Sequence, residues 1–310
     1  MAKILVTGGA GFIGSNLAQK LVEKKHQVTV FDNLATGRLV NLKKIRTKIH
    51  FVKGDIRNLS ALERNFRGID YVFHLAALPG VFLSVQKPVE VSSVNIAGAL
   101  NVFLAARDNK VRRVIFISSS SVYGGAYEIN KEEQKPQPLS PYAVSKITGE
   151  YYAANFYQLF GLETVSLRFF NVFGLHQNPE SDYAAVIPLF IKLALQGKRP
   201  MIFGDGNQSR DFTYIDNVVS GMLLAMEAKK AVGEVFNIAC GSSITVNQLV
   251  KTIGKILNKK IVPIYKEPRP GDIYRSRADI AKAKAILGFT PKVNFEQGLE
   301  KTVAHFNTGL

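Results

Sequence analysis

The segment SPYAVSK places a tyrosine and a lysine four residues apart, Tyr142 and Lys146. On a helix this spacing brings both side chains to one face. A phenol has an unperturbed pKa of about 10, so it needs about 4 kcal/mol of preferential phenolate stabilisation to act as a base near neutral pH. A neighbouring ammonium group, together with a positively charged ring bound beside it in a poorly solvated cleft, can supply this by Coulomb attraction. In such a cleft, the pair predicts a tyrosine base with a lowered pKa.

Four consecutive serines, Ser118 to Ser121, precede this segment in the sequence. They follow the apolar run at 114–117, so four hydroxyls emerge where a buried strand reaches the surface. A plain turn favours Gly, Asn, Asp or Pro instead. We expect Ser119 to end a strand adjacent to Tyr142. Because serine, tyrosine and lysine occur together downstream of a glycine loop, catalysis is favoured over an incidental Tyr-x-x-x-Lys spacing.

The glycine loop lies in TGGAGFIGSNLAQKL, where Gly8, Gly11 and Gly14 stand between a predicted strand and a predicted helix. Glycine lets the backbone approach a pyrophosphate, and the helix N-terminus offers N–H groups to it. The loop therefore predicts dinucleotide binding. Asp32, at the end of the second strand, can hold an adenosine ribose and would repel a 2′-phosphate, which favours NAD over NADP; it can also cap the following turn. Asp55, after the third strand, is a candidate for contact with the adenine.

These residues must be positioned by strands and helices, which alternate along the chain. Strands are expected at KILVTG, QVTVFD, IHFVKGD, YVFHLAA, RVIFISS, ETVSLRFF and EVFNIA. Apolar strands that alternate with helices form a parallel sheet covered on both faces, and right-handed crossovers make it doubly wound. We expect this α/β sheet in residues 1–171, with a returning segment at about 213–240. A smaller C-terminal α/β substrate lobe is expected from 172–212 and 241–310.

The composition is that of a folded globular chain: 310 residues, 46% hydrophobic and 21% charged. Its single cysteine, Cys240, excludes an intrachain disulfide and favours a reducing compartment. The glycine loop begins at Gly8, which predicts that no signal peptide is present. We also expect no stretch long and apolar enough to span a bilayer. The resulting expectation is a cytoplasmic protein.

The formal net charge of +16 attracts anions such as nucleic acids or phosphate-bearing small molecules. The lysines are scattered rather than gathered in one basic arm, which favours a solvated basic surface over nucleic-acid binding. The five histidines are also scattered and show no metal-ligand spacing, so no metal site is expected.

Taken together, the motifs resemble the extended short-chain dehydrogenase/reductase superfamily, particularly its nucleotide-sugar epimerases. The resemblance covers essentially the whole chain, through TGGAGFIGSNL, FDNLATG, GDI, HLAA, SSSSVYG, PYAVSK, RFFNVFG, GDGNQSRDFTYIDNV and RPGD. It implies a Rossmann-type domain that holds NAD tightly and a lobe that binds a nucleotide diphosphate sugar. It also implies that Tyr142 is the base, that Lys146 holds the nicotinamide ribose and that Ser119 binds the reacting sugar hydroxyl, with Ser120 beside them.

The same resemblance implies two sets of binding residues. The cofactor-binding set is Gly8, Gly11, Phe12, Ile13, Gly14, Asp32, Asn33, Gly37, Asp55, Ile56, Leu75, Ala76, Ala77, Tyr142 and Lys146. The substrate-binding set is Ser84, Asn95, Ser119, Ser120, Tyr142, Asn171, Val186, Ile202, Arg210, Arg269, Asp272 and Ser276.

The serine run distinguishes between members of this superfamily. Related 4,6-dehydratases carry Asp and Glu at the two positions where this chain has Ser120 and Ser121. Related decarboxylases usually carry a Glu in this stretch. Hydroxyl groups cannot readily supply elimination chemistry at neutral pH. The missing acids therefore favour an epimerase, in which hydride leaves C4 of the sugar for NAD, the 4-keto sugar turns over, and the hydride returns to the other face.

The resemblance also indicates the sugar nucleotide. Arg210 and Arg269 resemble arginines that clamp a diphosphate, for which a planar guanidinium is suited. YAAVIP and MIFGDG resemble segments around uracil, which implies UDP. Ser276 matches a position that borders the sugar 2-substituent, where a tyrosine restricts relatives to glucose and galactose and a small residue admits an N-acetyl group. We expect UDP-GlcNAc and UDP-GalNAc as substrates, with UDP-Glc and UDP-Gal as additional ones.

Alternatives remain open at this point. Within enzymes, the chain could be a 4-epimerase specific for UDP-glucose and UDP-galactose, or one for UDP-glucuronate. Outside enzymes, it could be an NAD-sensing or RNA-binding Rossmann protein, although such a protein has no need for Tyr142 and Lys146 together. Relatives are commonly homodimers through two helices of the sheet domain, so we expect a homodimer that uses the helix at SPYAVSKITGEYYAANFYQLFG.

Overall fold

The computed structural model describes residues 1–180, 185–268 and 273–309. Its strands are β1 (Lys3–Thr7), β2 (Gln27–Asp32), β3 (Ile49–Lys53), β4 (Tyr71–His74), β5 (Arg113–Ser119), β6 (Ile129–Asn130), β7 (Glu163–Phe169), β8 (Val172–Phe173), β9 (Met201–Phe203), β10 (Ser209–Arg210), β11 (Thr213–Tyr214), β12 (Val235–Ile238), β13 (Ile244–Thr245), β14 (Ile264–Lys266) and β15 (Arg275–Ala278). Its α-helices are α1 (Phe12–Glu23), α2 (Leu59–Phe66), α3 (Val81–Gln86), α4 (Pro88–Ser92), α5 (Gly98–Asp108), α6 (Pro141–Phe160), α7 (Val186–Leu195), α8 (Ile215–Glu227), α9 (Val246–Leu257), α10 (Ala281–Leu287) and α11 (Phe295–Gly309).

The large sheet has seven parallel strands in the order β12-β7-β5-β4-β1-β2-β3. These are the seven strands expected from the sequence, so the doubly wound Rossmann-type fold is confirmed. Strand β1 pairs with β2 on one side and with β4 on the other, which makes this the point where the strand order reverses. In open α/β sheets, ligands bind at the carboxyl ends of the strands beside such a point.

Successive residues of each central strand face opposite sides of the sheet. In β5, Val114 and Phe116 belong to the hydrophobic cluster shared with α2 and α5, whereas Ile115 and Ile117 belong to the cluster shared with α1 and α8. Both sides are therefore covered by helices, which explains why the strands are apolar throughout rather than alternating.

Helix α6 lies unusually close to β5. A Cβ atom added at Gly149 would stand 2.1 Å from the ring of Phe116, so only a glycine permits this approach. The helix begins sharply because the Ser140 hydroxyl accepts a hydrogen bond from the backbone N–H of Ala143 and Pro141 occupies the first turn. The positions of all side chains on this face of α6 relative to β5 are thereby fixed.

The second lobe contains a four-stranded sheet with the order β13-β10-β15-β6 and two parallel pairs, β11-β8 and β14-β9. Strand β6 comes from residues 129–130, inside the range predicted for the large domain, yet it pairs with β15. Strand β12, from the predicted returning segment, pairs with β7 in the large sheet. The chain thus crosses between the two sheets several times, and the domain boundaries stay a prediction.

One expectation about membrane-spanning segments was wrong. The continuous helical run Pro88–Asp108, made of α4, a π-helical turn (Ser93–Ala97) and α5, is long and apolar enough to cross a membrane by length and composition. Val102 and Phe103 of this run are fully buried in the cluster between α5 and the large sheet. A core helix that covers a sheet needs such apolar residues, so it can be as long and as apolar as a membrane-spanning helix.

Candidate active site

A cavity of about 630 Å³ opens at the carboxyl ends of β1, β4 and β5 and reaches the second lobe. It brings together most of the residues predicted from the sequence to bind or react. The predicted residues that line it are Gly8, Gly11, Phe12, Ile13, Gly14, Asp32, Asn33, Ile56, Leu75, Ala76, Ala77, Ser119, Ser120, Tyr142, Lys146, Asn171, Arg210 and Ser276.

Two residues predicted to contact the sugar lie behind the cavity wall. Ser84 is fully buried, and its hydroxyl donates to the backbone oxygen of Val81. The amide of Asn95 accepts from the N–H of Leu78 and donates to its carbonyl oxygen and to the Ser145 hydroxyl. Ser84 bonds within the first turn of α3, and Asn95 holds the segment before that helix, so these residues shape the wall without lining it.

Four more predicted residues do not line the cavity. Gly37 packs on Asp32, since a Cβ there would stand 2.8 Å from a carboxylate oxygen. Ile202 is buried in the core, and at the start of α7 it is Ala185, not Val186, that lines the cavity. Asp55 is likewise absent from the lining. Two further predictions, Arg269 and Asp272, lie outside the described residues.

The glycine loop joins β1 to α1 at the rim of the cavity. Gly8 has a φ of +69°, and a Cβ on it would stand 2.7 Å from the backbone nitrogen of Ala76. A Cβ on Gly14 would stand 2.3 Å from the carbonyl oxygen of Gly8. The backbone of the loop therefore contacts the backbone at the start of α1 and just after β4. No side chain fills this space, so the N-terminus of α1 is open toward the cavity.

Asp32 connects this loop to the turn after β2. Its carboxylate accepts hydrogen bonds from the backbone N–H of Ala10 at 2.9 Å and of Leu34 at 2.8 Å. A carboxylate offers about four lone-pair positions, so oxygen sites remain for the hydroxyls of a ribose. Asp32 thus caps the turn and also faces the cavity, as both readings of the sequence expected.

The Asp55 carboxylate accepts hydrogen bonds from two neighbouring side chains. Arg57 donates to it through Nε at 3.0 Å and Nη2 at 2.6 Å, and Asn33 donates through Nδ2 at 3.1 Å. The hydrogen bonds from Arg57 lower the pKa of Asp55 to about 2, although burial opposes this. Arg57 itself lines the cavity, so an adenine at this end would meet the guanidinium before the carboxylate. Sequence reasoning missed Arg57.

Helix α6 presents the tyrosine and lysine to the end of β5, as the sequence predicted. The Lys146 ammonium donates to the backbone oxygen of Ile117 at 2.8 Å and lies 5.7 Å from the centroid of the Tyr142 ring. Ser119 lies near the Tyr142 hydroxyl and favours its phenolate form. Ser119 also accepts from the backbone N–H of Ser121 at 3.1 Å, which fixes its position at the strand end.

In the protein without a bound cofactor, the pKa of Tyr142 lies above its ordinary value. Burial raises the pKa of Tyr142, and the neighbouring Ser119 lowers it by less. The Lys146 ammonium donates its hydrogen bond to the Ile117 carbonyl and not to the phenol. Burial lowers the pKa of Lys146 to about 8, and the charge of Glu150 opposes this shift. Lys146 therefore carries its proton at neutral pH.

His74 lies beside this pair and is held by packing and by a hydrogen bond. It is buried, its Nδ1 is hydrogen-bonded to the Thr7 hydroxyl at 2.8 Å, and its ring packs against Phe116. Burial, aided by the charge of Lys146, lowers the pKa of His74 to about 3. The ring is neutral under all ordinary conditions. Elsewhere in the described parts of the chain, no group of three or more His, Cys, Asp or Glu side chains could hold a metal ion.

Sequence reasoning also missed polar residues that reach the cavity from other segments. Asn130 lies on β6, Gln177 follows β8 and Ser121 belongs to the serine run, and all three line the cavity. Ser121 stands inside the SSSSVYG motif, which was quoted for other residues, and Gln177 follows RFFNVFG by three residues. Asn130 had no sequence signal, because only the pairing of β6 with β15 brings it to the site.

The residues present fit NAD. The glycine loop and the start of α1 form a backbone cradle that side chains would fill, and Asp32 has oxygen sites to spare for a ribose. Tyr142 and Lys146 stand at the other end of the same cavity, where a nicotinamide ribose and a sugar would meet. No basic residue takes the place of Asp32, which is consistent with NAD rather than NADP.

Comparisons with known proteins agree with this geometry. Residues 4–239 match the NAD dependent epimerase/dehydratase family. A putative UDP-glucose 4-epimerase of Methanocaldococcus jannaschii is 39% identical over 303 residues, 97% of each chain. The UDP-N-acetylglucosamine 4-epimerase of Methanobrevibacter ruminantium M1, solved with UDP-N-acetylmuramic acid, is 40% identical and superimposes with a TM-score of 0.95 over 100% of this chain and 99% of that one.

A second solved structure differs in its sugar. The UDP-glucose 4-epimerase of Thermotoga maritima, solved with UDP-glucose, is also 40% identical, with a TM-score of 0.93 over 98% of each chain. Overall similarity therefore favours neither sugar, and the side chains around the sugar must be considered instead.

Proposed function

Because this chain belongs to the NAD dependent epimerase/dehydratase family, we propose that it interconverts UDP-GlcNAc and UDP-GalNAc. The chain is an NAD-dependent UDP-sugar 4-epimerase. The observation that carries the proposed chemistry is the convergence of Ser119, Tyr142 and Lys146 on one cavity wall. An NAD-sensing or RNA-binding protein would have no use for this arrangement.

The residues divide the chemistry between them. Tyr142 takes the proton of the sugar 4-hydroxyl at its phenolic oxygen and later returns it, while Ser119 orients that hydroxyl. The ammonium of Lys146 stabilises negative charge on the phenolate. Bound NAD supplies the hydride acceptor and donor for C4 of the sugar. Ser120 and Ser121 carry no acid, so loss of water or carbon dioxide has no catalyst in this stretch.

The side chain that would border the sugar 2-position supports an N-acetylated substrate. Ser276 lies on β15, opposite Arg210 on β10, and both line the cavity. If Arg210 binds the diphosphate, the adjacent Ser276 stands near the first sugar ring. The serine is 8% exposed and adds little volume, so room for an N-acetyl group remains on this wall.

Two amide oxygens beside the cavity bear on the choice between a neutral sugar and UDP-glucuronate. Asn130 and Gln177 donate their amide N–H groups to the backbone oxygens of Arg277 and Val172, which fixes the orientation of each amide. Their oxygens, Oδ1 and Oε1, are buried and accept no hydrogen bond within the described chain. Sugar hydroxyls and an N-acetyl N–H can donate to such oxygens, whereas a carboxylate can only accept.

Removal of the phenol tests the proposed base. In Tyr142→Phe, we expect kcat to fall by about 10²–10⁴-fold, because proton transfer at the 4-hydroxyl is lost. The fold and the bound NAD should remain, as judged by circular dichroism and by NAD content after denaturation. Tyr151→Phe, which changes a 60% exposed tyrosine on the same helix, should retain full turnover. Equal activity of both variants would refute the assignment.

A larger side chain at position 276 tests the substrate. In Ser276→Tyr, we expect kcat/KM for UDP-GlcNAc to fall about 10–200-fold relative to that for UDP-glucose, because the phenol would occupy the space of the N-acetyl group. Ser276→Ala should keep the ratio of the two substrates. An equal loss for both substrates in the tyrosine variant would show that this residue does not border the 2-substituent.

A homodimer through α3 and α6 is also proposed. These helices contact each other and expose apolar side chains, among them Val81, Val85, Val144 and Tyr151. A second copy would cover this apolar surface. Sedimentation of the purified protein at micromolar concentration should give about twice the chain mass of 34.2 kDa, and a mass equal to one chain would contradict the proposal.

A further inference from the structure

The row of residues that begins with the tyrosine and the lysine has a third member. Glu150 follows Lys146 by four residues, as Lys146 follows Tyr142, so the three side chains lie on one face of α6. Glu150 is 4% exposed and does not line the cavity. A carboxylate is seldom buried unless it is paired, so its role has to be found among its neighbours.

The row is joined to three consecutive residues at the end of β5. These residues are Ile117, Ser118 and Ser119. The Lys146 ammonium donates to the backbone oxygen of Ile117, and the Ser118 hydroxyl is hydrogen-bonded to Glu150. Ser119 lies near the Tyr142 hydroxyl. The first of the four serines at the strand end thus binds Glu150 rather than substrate, with its hydroxyl donating to Oε1. A rotation of α6 about its axis would break all three contacts together.

A buried arginine completes the surroundings of Glu150. Arg168 on β7 donates to the carboxylate through Nε at 2.9 Å and through Nη2 at 2.7 Å, and both side chains are almost fully buried. Its guanidinium lies 4.8 Å from the ring centroid of Tyr123, whose hydroxyl donates to Asn237 on β12 at 2.7 Å. Glu150 is therefore held from β5 and β7 at once and cannot turn away.

The charges around Lys146 give this carboxylate a second effect. Tyr142 and Glu150 face it from α6, His74 faces it from β4, and Arg168 stands on β7 behind Glu150. The imidazole of His74 is neutral. Among the described residues, Glu150 is the carboxylate whose charge acts on the buried ammonium, and it opposes the loss of the proton that burial favours.

We propose that Glu150 is a positioning residue: bound to Ser118 and Arg168, it fixes α6 against β5 and keeps Lys146 protonated beside Tyr142. Its effect reaches the substrate only through those two residues. The inference rests on the proposed function for its kinetic consequence, but the ionisation of Lys146 can be measured without turnover.

Two variants test the proposal. Glu150→Gln removes the charge but leaves Arg168 buried without its ionic partner, which can prevent folding. Glu150→Gln combined with Arg168→Met removes both charges, and replacement of a buried ion pair by uncharged groups is often tolerated. Glu163→Gln is the matched control, because it removes the carboxylate partner of another buried arginine, Arg113.

Removal of the carboxylate should let Lys146 lose its proton at lower pH. Turnover needs the ammonium, so the alkaline limb of the pH–kcat profile should move to lower pH by about one unit in Glu150→Gln. The double variant should shift in the same direction but by less, because it also loses the positive charge of Arg168, which stands behind Glu150. The same shift should appear in the pH dependence of Lys146 labelling by trace acetic anhydride, read by mass spectrometry. Both readouts should stay unchanged in Glu163→Gln.

The outcomes separate this inference from the proposed function. A folded double variant with wild-type labelling and pH profile would overturn the role of Glu150, whatever its stability. A labelling shift in a protein whose wild type converts no UDP-sugar would support the role of Glu150 and refute the proposed function. If Glu150→Gln fails to fold, the double variant decides.

Discussion

The close contact of α6 with the end of β5 is the constraint on which the site depends. Gly149 lets the helix approach the ring of Phe116, and hydrogen bonds to Ile117 and Ser118 then fix the rotation of the helix. These contacts place the Tyr142 hydroxyl at Ser119 and the Lys146 ammonium 5.7 Å from the tyrosine ring. Two rigid elements, rather than loops, therefore carry the reacting groups.

The substrate side is tied to the same sheet by a second buried carboxylate. Asp211, next to Arg210, accepts from the backbone N–H groups of Cys240, Gly241 and Ala278. The end of β12 in the large sheet and strand β15 in the lobe are thereby held around one side chain, whose pKa burial raises to about 6. The strand pair that carries Arg210 and its neighbour at 276 thus keeps a fixed distance from the strand ends that carry the chemistry.

The sequence predicted the seven strands, the glycine loop and the Tyr142–Lys146 pair, because each depends on local spacing. It did not predict which polar groups already have hydrogen-bond partners inside the fold. The Asn95 amide, for example, is hydrogen-bonded to the backbone of Leu78 and to the Ser145 hydroxyl. Nor could it place Asn130, which reaches the cavity only through the pairing of β6 with β15. Nor could it give the degree of burial at Tyr142, because burial depends on the whole cavity and has no local pattern.

Product analysis without added cofactor tests the central claim most directly. Purified protein would be incubated with UDP-GlcNAc and, separately, with UDP-glucose, and the sugar nucleotides separated by chromatography. We predict that UDP-GalNAc forms from UDP-GlcNAc with no net production of NADH, because hydride leaves and returns within one binding event. Conversion of UDP-glucose alone would contradict the proposed substrate. Conversion of neither sugar, even with NAD added, would contradict the account of the site.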